Sequence, residues 1–177
     1  MFLRAVNVGG TNLCRPAQLA KELKKFDIIN IGAVGTFVIR KAVNDSTLRA
    51  AIAKKLPFKC EIMICQGRDI TRLAAKAPFA GELSGPEFTR FVSVLHKKPR
   101  NLPFALPFRL PSDKEWLLKL IAIEKQFVLG IYRREMKAIG YLGRIEKILG
   151  APATARSWST IEKVARILEK DRPAADH

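Results

Sequence analysis

The sequence predicts an α+β fold: two tandem ferredoxin-like (alpha-beta plait) subdomains with antiparallel sheets, and a C-terminal helical pair. Three observations support this prediction. Through the first 80 residues, short apolar runs typical of strands alternate with runs of helical periodicity in the order β-α-β-β-α-β. A polar connection with Gly and Pro at residues 81–86 then marks a boundary. Beyond it, strand-like runs return and two helical runs follow.

The first subdomain is predicted over residues 1–80. The apolar run Phe2–Val8 has the composition of a first strand, and Gly9–Asn12 has the composition of a turn. Pro16 suits the first position of a helix, because the N–H that proline lacks has no helical partner there. Asn44 opens a second helix signal. Further strands are predicted at 27–31, 36–41 and 59–66, and helices at 16–26, 46–56 and 68–76.

The second subdomain is predicted over residues 87–170, starting with a strand at Phe88–His96. Four prolines within residues 99–111 exclude a regular helix there and predict an extended loop that carries aromatic side chains. A hairpin with its turn at Glu124-Lys125 follows. The helices of the predicted C-terminal pair end at Leu149 and Lys170, and residues 171–177 are predicted to fray.

The stretch Thr154–Thr160, just before the last helix, is the strongest candidate site. Ser159 and Glu162 have capping-box spacing, which predicts a helix start with free backbone N–H groups. Arg156, two hydroxyls and the indole of Trp158 accompany this positive helix end, so an anion could bind there. The alternative interpretation is structural: Trp158 fills the core, Ser159 caps the helix, and Arg156 is solvated.

The chain is strongly basic along its whole length. It carries 32 Lys and Arg residues against 16 Asp and Glu, a formal net charge of +16, shared equally between residues 1–90 and 91–177. A surface with this charge attracts polyanions such as nucleic acid, or nucleotides. The alternative interpretation is a solubility feature. At 48% hydrophobic residues the chain has enough apolar material for a packed core.

The cysteines predict a reducing compartment. Cys14, Cys60 and Cys65 are odd in number and contain no C-x-x-C pair, which argues against a disulfide framework or a zinc site. No secretory signal opens the sequence and no apolar run is long enough to span a bilayer. We therefore expect a cytoplasmic protein with no membrane partner, no metal and no cofactor.

Catalytic signals are weak, so the sequence does not decide whether the protein is an enzyme. His96 and His177 are the two histidines, and no nucleophile–base–acid pattern or paired His motif includes them. Cys14 precedes Arg15 near a helix start, an arrangement that would lower a thiol pKa. The alternative for Cys14 is a small residue in a loop.

Two motifs together resemble the bacterial domain of unknown function 1697 family. The first is Asn7–Asn12 after an N-terminal strand, and the second lies within Leu149–Thr160. The resemblance covers about residues 2–168 and implies two tandem alpha-beta plaits, but it implies no established activity. Positions that match the usual family motifs are Leu3, Arg4, Asn7, Val8, Gly9 and Gly10, then Thr154, Arg156, Trp158 and Thr160.

The chain also departs from the family pattern. Ala5 replaces a Gly and Ser157 replaces an Asn. Ala33–Thr36 stands where the family often shows Gln-Ser-Gly-Asn, and Lys137–Ile139 where it tends to carry Arg-Ser-Lys. If those family residues bind a ligand, the site in this chain is altered.

These observations predict a basic cytoplasmic protein that binds a phosphate-bearing ligand, either nucleic acid or a nucleotide. One alternative is an enzyme of unknown reaction that uses a cleft between the Asn7–Gly10 loop and Arg156–Thr160. Another is a structural or partner-binding module. The predicted ligand-binding residues are Asn7, Gly9, Gly10, Thr11, Asn12, Arg156, Ser157, Trp158 and Thr160.

Two nucleic-acid modes fit the sequence less well. Base stacking on the central strands of the first plait would rely on Phe37 and Phe2, a poor match to the aromatic pattern of RNA-recognition domains. A helix-turn-helix built on the last two helices would bring Arg156, Lys163 and Arg166 to DNA, but a proline interrupts its connection.

Overall fold

The computed structural model describes residues 1–99 and 101–170, which form a mixed α+β protein with five α-helices and antiparallel sheets. The chain divides into two compact units: Met1–Thr71 with the C-terminal segment from Glu162, and Arg72–Ile161. The subdomain bounds predicted from the sequence, 1–80 and 87–170, stay a prediction. The predicted fraying of 171–177 falls outside the described residues.

The first unit contains the elements expected from its turn and capping signals. The helix α1 begins at Pro16, and α2 begins where the Asn44 side chain accepts a hydrogen bond from the Thr47 N–H at 2.8 Å. The elements are β1 (Phe2–Leu3), α1 (Pro16–Glu22), a 3-10 turn (Lys24–Phe26), β2 (Ile28–Asn30), β3 (Phe37–Ile39), α2 (Asp45–Ala53), β4 (Ile62–Met63) and α3 (Gly67–Ala75), whose last turn falls in the second unit.

The strands of the first unit pair in two antiparallel ribbons, β1 with β4 and β2 with β3. A single antiparallel bridge between Phe2 and Thr36, with a 2.8 Å hydrogen bond from the Leu3 N–H to the Gly35 carbonyl, places β1 beside the start of β3. The spatial order is therefore β4-β1-β3-β2. Leu19 of α1, Leu23 at its C-terminal end, and Leu48 and Ile52 of α2 pack in one core. Leu3, Phe37 and Ile62 of the strands belong to the same core.

The second unit contains a five-stranded antiparallel sheet in the order β6-β7-β8-β5-β9. The sequence predicted the β7–β8 hairpin and the absence of a helix from the proline-rich loop, and both predictions are confirmed for the described residues. It missed β6 and β9. The elements are β5 (Phe88–Leu95), β6 (Phe108–Leu110), β7 (Leu118–Glu124), β8 (Phe127–Arg133), α4 (Met136–Leu149), β9 (Ala153–Ser157) and the first turn of α5 (Trp158–Lys170), which continues into the first unit.

The two faces of this sheet differ, because successive side chains of a strand point to opposite faces. One face carries Phe91 and Leu95 of β5, which pack with Ile145 and Leu149 of α4. The opposite face carries the even-numbered residues of β5, from Phe88 to Val94. In an antiparallel pair, residues directly opposite each other share a face, so Arg133, paired with Phe88, and Arg156, paired with Val92, belong to this second face.

The candidate stretch before the last helix is a strand rather than a free loop. Residues Ala153–Ser157 form β9, which separates α4 from α5, and α5 begins at Trp158. The Ser157 hydroxyl, which accepts from the Thr160 N–H at 3.4 Å, occupies the capping position that the sequence assigned to Ser159. The prediction was wrong by two residues, since pairing with β5 extends the strand up to the helix.

Candidate functional site

The Asn7 side chain joins two loops of the first unit. Its amide nitrogen donates to the carbonyl oxygens of Cys14 at 2.9 Å and Ala33 at 2.7 Å, and its Oδ1 accepts from the Cys14 N–H at 2.9 Å. Both amide protons are therefore used inside the protein. Asn7 itself has a left-handed backbone, with φ of 56°, which asparagine tolerates better than most residues. The side chain that the sequence assigned to a ligand holds the loop in shape.

The rest of this loop offers mainly backbone to a ligand. Gly9 and Gly10 are exposed, have φ of 60° and 74°, and have open space where a Cβ would lie. The Thr11 hydroxyl donates to the Val8 carbonyl at 3.0 Å, and the Asn12 amide donates to the Ala5 carbonyl at 3.2 Å. The polar side chains thus bond within the loop, and the glycine backbone is its open part.

Three apolar residues that lie next in sequence to Asn7 or to its hydrogen-bond partners are exposed. Val8, which follows Asn7, is 57% exposed; Leu13 and Val34, which adjoin the partners Cys14 and Ala33, are 69% and 38% exposed. The hydrogen bonds of Asn7 therefore bring together the backbone segments that carry these residues. A ligand at this loop would meet aliphatic surface as well as glycine N–H groups.

Arg156 is buried within the second unit. It is 8% exposed, and it is the single buried Lys or Arg among the described residues. Its Nη1 donates to the Thr154 hydroxyl at 2.7 Å and to the Ala155 carbonyl at 2.8 Å. Thr154 and Arg156 lie two apart on β9 and share a face, which explains their contact. The structural alternative expected a solvated Arg156, and that part of it was wrong.

Trp158, Ser157 and Thr160 meet at the start of α5. The half-buried Trp158 packs edge-on against Phe79 with ring centroids 5.1 Å apart. Phe79 also lies 5.8 Å from the guanidinium carbon of Arg90. The Ser157 hydroxyl hydrogen-bonds with the Thr160 hydroxyl at 2.9 Å. The junction combines a packed ring with hydroxyls that cap the helix.

The predicted site residues fall into two groups. Asn7, Gly9, Gly10, Thr11 and Asn12 come together in the first unit. Arg156, Ser157, Trp158 and Thr160 come together in the second. A shared cleft between the groups stays a prediction.

A cluster that the sequence did not indicate lies at one end of the second unit's sheet. The rings of Phe88 and Trp116 are stacked, with centroids 6.0 Å apart and planes inclined by 20°. The guanidinium carbon of Arg133 lies 5.3 Å from the Phe88 centroid and 5.0 Å from the Trp116 centroid. All three side chains are half-buried. Their proximity depends on the pairing of Phe88 with Arg133 across β5 and β8, which no local pattern shows.

The first unit also contains a cavity of about 240 Å³ that none of the predicted site residues lines. It lies at the end of β3 and the starts of α2 and α3, and side chains from the end of α5 close it. Most of the residues that line it are apolar. The charged and polar lining residues are Arg40, Lys41, Asp45, Cys65 and Gln66.

The three cysteines are free thiols with raised pKa values. Burial is the largest cause for each, and the nearby Glu22 carboxylate raises the pKa of Cys14 further. The expectation that Arg15 lowers the pKa of Cys14 was therefore wrong, and a thiolate nucleophile is disfavoured. Among the described residues, no three His, Cys, Asp or Glu side chains group as metal ligands. Within the same residues, no helix is both long and apolar enough to cross a bilayer.

Comparison with protein families supports the resemblance. The family model described as "Protein of unknown function (DUF1697)" matches residues 1–106. The match includes the Asn7–Asn12 motif, and the Thr154–Thr160 motif lies outside it. No curated protein and no solved structure shows a match to the chain.

Proposed function

The chain belongs to the DUF1697 family of proteins of unknown function, and we propose that it is a cytoplasmic protein that binds nucleic acid through its phosphates. The observation that carries this proposal is the placement of charge. Lys and Arg are twice as numerous as Asp and Glu, and apart from Arg156 those in the described residues are at least partly exposed. A field of this sign concentrates polyanions at the surface and speeds their association.

A location in the cytoplasm is part of the same proposal. All three cysteines are unpaired by disulfides, which suits a reducing environment. Raised thiol pKa values keep them protonated near neutral pH, so they have little tendency to oxidise there.

We also propose that the two units are tandem alpha-beta plaits. The order β4-β1-β3-β2 of the first unit supports it, because a βαββαβ plait places its strands in the order 4-1-3-2. In the second unit, β5, β7, β8 and β9 follow the same order, with the proline-rich loop in place of the first helix and β6 as an added edge strand. The C-terminal helical pair stays a prediction.

Within this proposal, the nine predicted residues divide by role. The Gly9–Gly10 backbone and the exposed Thr11 are accessible to a ligand, while Asn7 positions them. Arg156 positions the junction of β9 with α5 rather than contacting a phosphate, since it is buried and bonded to Thr154. Replacing Arg156 with Met should therefore lower stability and leave the salt dependence of binding unchanged.

A second candidate is a small phosphate-bearing molecule such as a nucleotide, bound in the cavity of the first unit. Lys41, at the rim of that cavity, is the observation that favours it, because its exposed ammonium group could meet a phosphate. Binding of this kind is saturable with one ligand per chain, and Lys41→Met should abolish most of the affinity. If a polymer binds over the surface instead, the same variant should lose only a small part of its affinity.

The proposal is tested by fluorescence anisotropy with labelled single-stranded and duplex 20-mers. For polymer binding, log affinity should fall with log salt by about 0.7 per phosphate contact for single strands and about 0.9 for duplex. No binding at about 50 mM salt, where surface electrostatics are strong, would overturn the proposal. Inorganic polyphosphate as competitor shows whether charge alone suffices.

A further inference from the structure

The stacked pair Phe88–Trp116 is partly buried and has Arg133 beside both rings. Both residues are partly buried, so each ring keeps only part of its apolar surface exposed to water. A planar group stacked on them would remove more of that surface from water. The arrangement is therefore preorganised for a planar ligand.

Arg133 holds the pair in place. Its Nε donates to the Trp116 carbonyl oxygen at 3.0 Å, and its guanidinium lies about 5 Å from each ring, within the range of a cation–π interaction. The neighbouring Arg134 donates to the Thr89 hydroxyl at 3.0 Å and is exposed. The rings are therefore fixed by contacts from the strand ends, and a ligand would not have to order them.

The surrounding charges are mixed. Arg133 contacts both rings, and within two residues of the cluster in sequence lie two exposed cations, Lys114 and Arg134, and three exposed carboxylates, those of Glu87, Glu115 and Glu135. These six charges sum to zero, unlike those of the chain as a whole. This end of the sheet is therefore suited to the uncharged bases of a polyanion more than to its phosphates.

We propose that Phe88 and Trp116 form a stacking platform for the bases of single-stranded nucleic acid. The inference rests on the proposed nucleic-acid binding and names the part of the ligand that this surface recognises. Bases of a single strand are free to stack on aromatic side chains, whereas those of a duplex are stacked on each other. The protein should therefore prefer single strands, with phosphates held by the exposed cations and one or two bases held by the platform.

The test measures binding of a dT 20-mer to wild type, Phe88→Leu and Trp116→Leu across a range of salt. Each variant should lose about 5- to 160-fold in affinity, the loss expected for one stacked base. The salt slope should be unchanged, because no phosphate contact is removed. Phe104→Leu is the matched control: Phe104 is half-buried and stacked on Phe108 at 4.2 Å, and it should bind as wild type does.

Tryptophan fluorescence gives a second readout that does not depend on the stability of the variants. A base stacked on Trp116 quenches its emission, and Trp116→Phe, which keeps a ring for stacking, should retain most affinity and lose the quench. Polyphosphate should bind without quenching, because it has no bases.

The outcomes separate the two proposals. Quenching by the dT 20-mer, together with weakened binding of Phe88→Leu, supports the platform. Binding of the dT 20-mer and of polyphosphate with no quench, and with Phe88→Leu equal to Phe104→Leu, overturns the platform and leaves the proposed function standing. Failure of both polymers to bind at low salt overturns the proposed function and the platform together.

Discussion

Replacement of Asn7 is expected to destabilise the first unit through three lost hydrogen bonds. The side chain bonds Cys14 twice and the Ala33 carbonyl once, at 2.7 to 2.9 Å. A typical hydrogen bond contributes about 0.5–1.5 kcal/mol net, so the three should contribute about 2–4 kcal/mol. Asn7 is half-buried, which favours the lower part of that range.

Two replacements separate the contribution of the Asn7 side chain from that of its backbone conformation. Asn7→Gly removes the bonds but accepts the φ of 56°, so it should cost about 2–3 kcal/mol. Asn7→Ala removes the same bonds and also places a Cβ in the left-handed region, which adds about 1 kcal/mol. The expected order of stability is wild type, then Gly, then Ala.

Urea denaturation measures these differences as shifts of the unfolding midpoint, provided that the dependence of the unfolding free energy on urea concentration is the same for all variants. Asn12→Gly is the matched control, because Asn12 also has positive φ, at 50°, but only one amide bond, at 3.2 Å. It should cost less than about 1 kcal/mol. If Asn7→Gly stays within about 0.5 kcal/mol of wild type, the amide does not hold the two loops.

Three further predictions concern packing and protonation. Gly130→Ala should cost at least about 2 kcal/mol of stability, because its Cβ would lie 2.7 Å from both a backbone oxygen and a phenylalanine ring. Gly143→Ala, in open space on α4, should instead stabilise the protein by up to about 1 kcal/mol. Thermal melts compare the two variants. Trp158→Ala should cost about 3 kcal/mol by loss of its packing on Phe79, and a melting temperature within a degree of wild type would contradict that contact. Stability should fall as the pH rises above about 8.5, because the thiols of the unfolded chain then ionise while those of folded Cys14 and Cys65, whose pKa values are raised, stay protonated. The double variant Cys14→Ala, Cys65→Ala should flatten this part of the curve of stability against pH.

Elements with local signals were predicted from the sequence. Pro16 and Asn44 mark the starts of α1 and α2 because proline geometry and side-chain capping act within one turn. The prolines of residues 99–111 excluded a helix by the same local chemistry. Gly150, with φ of 62°, ends α4 as its position after the apolar stripe indicates.

Elements that depend on distant partners were missed. The segment Ala153–Ser157 contains no large apolar residue, and it is a strand because β5 pairs with it. The hydrogen bond from the Asn7 amide to a carbonyl 26 residues away is also one that no local motif shows. The pairing of Phe88 with Arg133, and the burial of Arg156, likewise follow from sheet register.

The salt dependence of nucleic-acid binding tests the central claim most directly. Affinity of the wild-type protein for a labelled single-stranded 20-mer is measured between about 50 and 200 mM salt. If several exposed Lys and Arg side chains neutralise phosphates, affinity falls steeply, with a log–log slope of about −0.7 for each phosphate contacted. A flat slope, or no binding at the lowest salt, would contradict the claim and leave the net charge of +16 as a solubility trait.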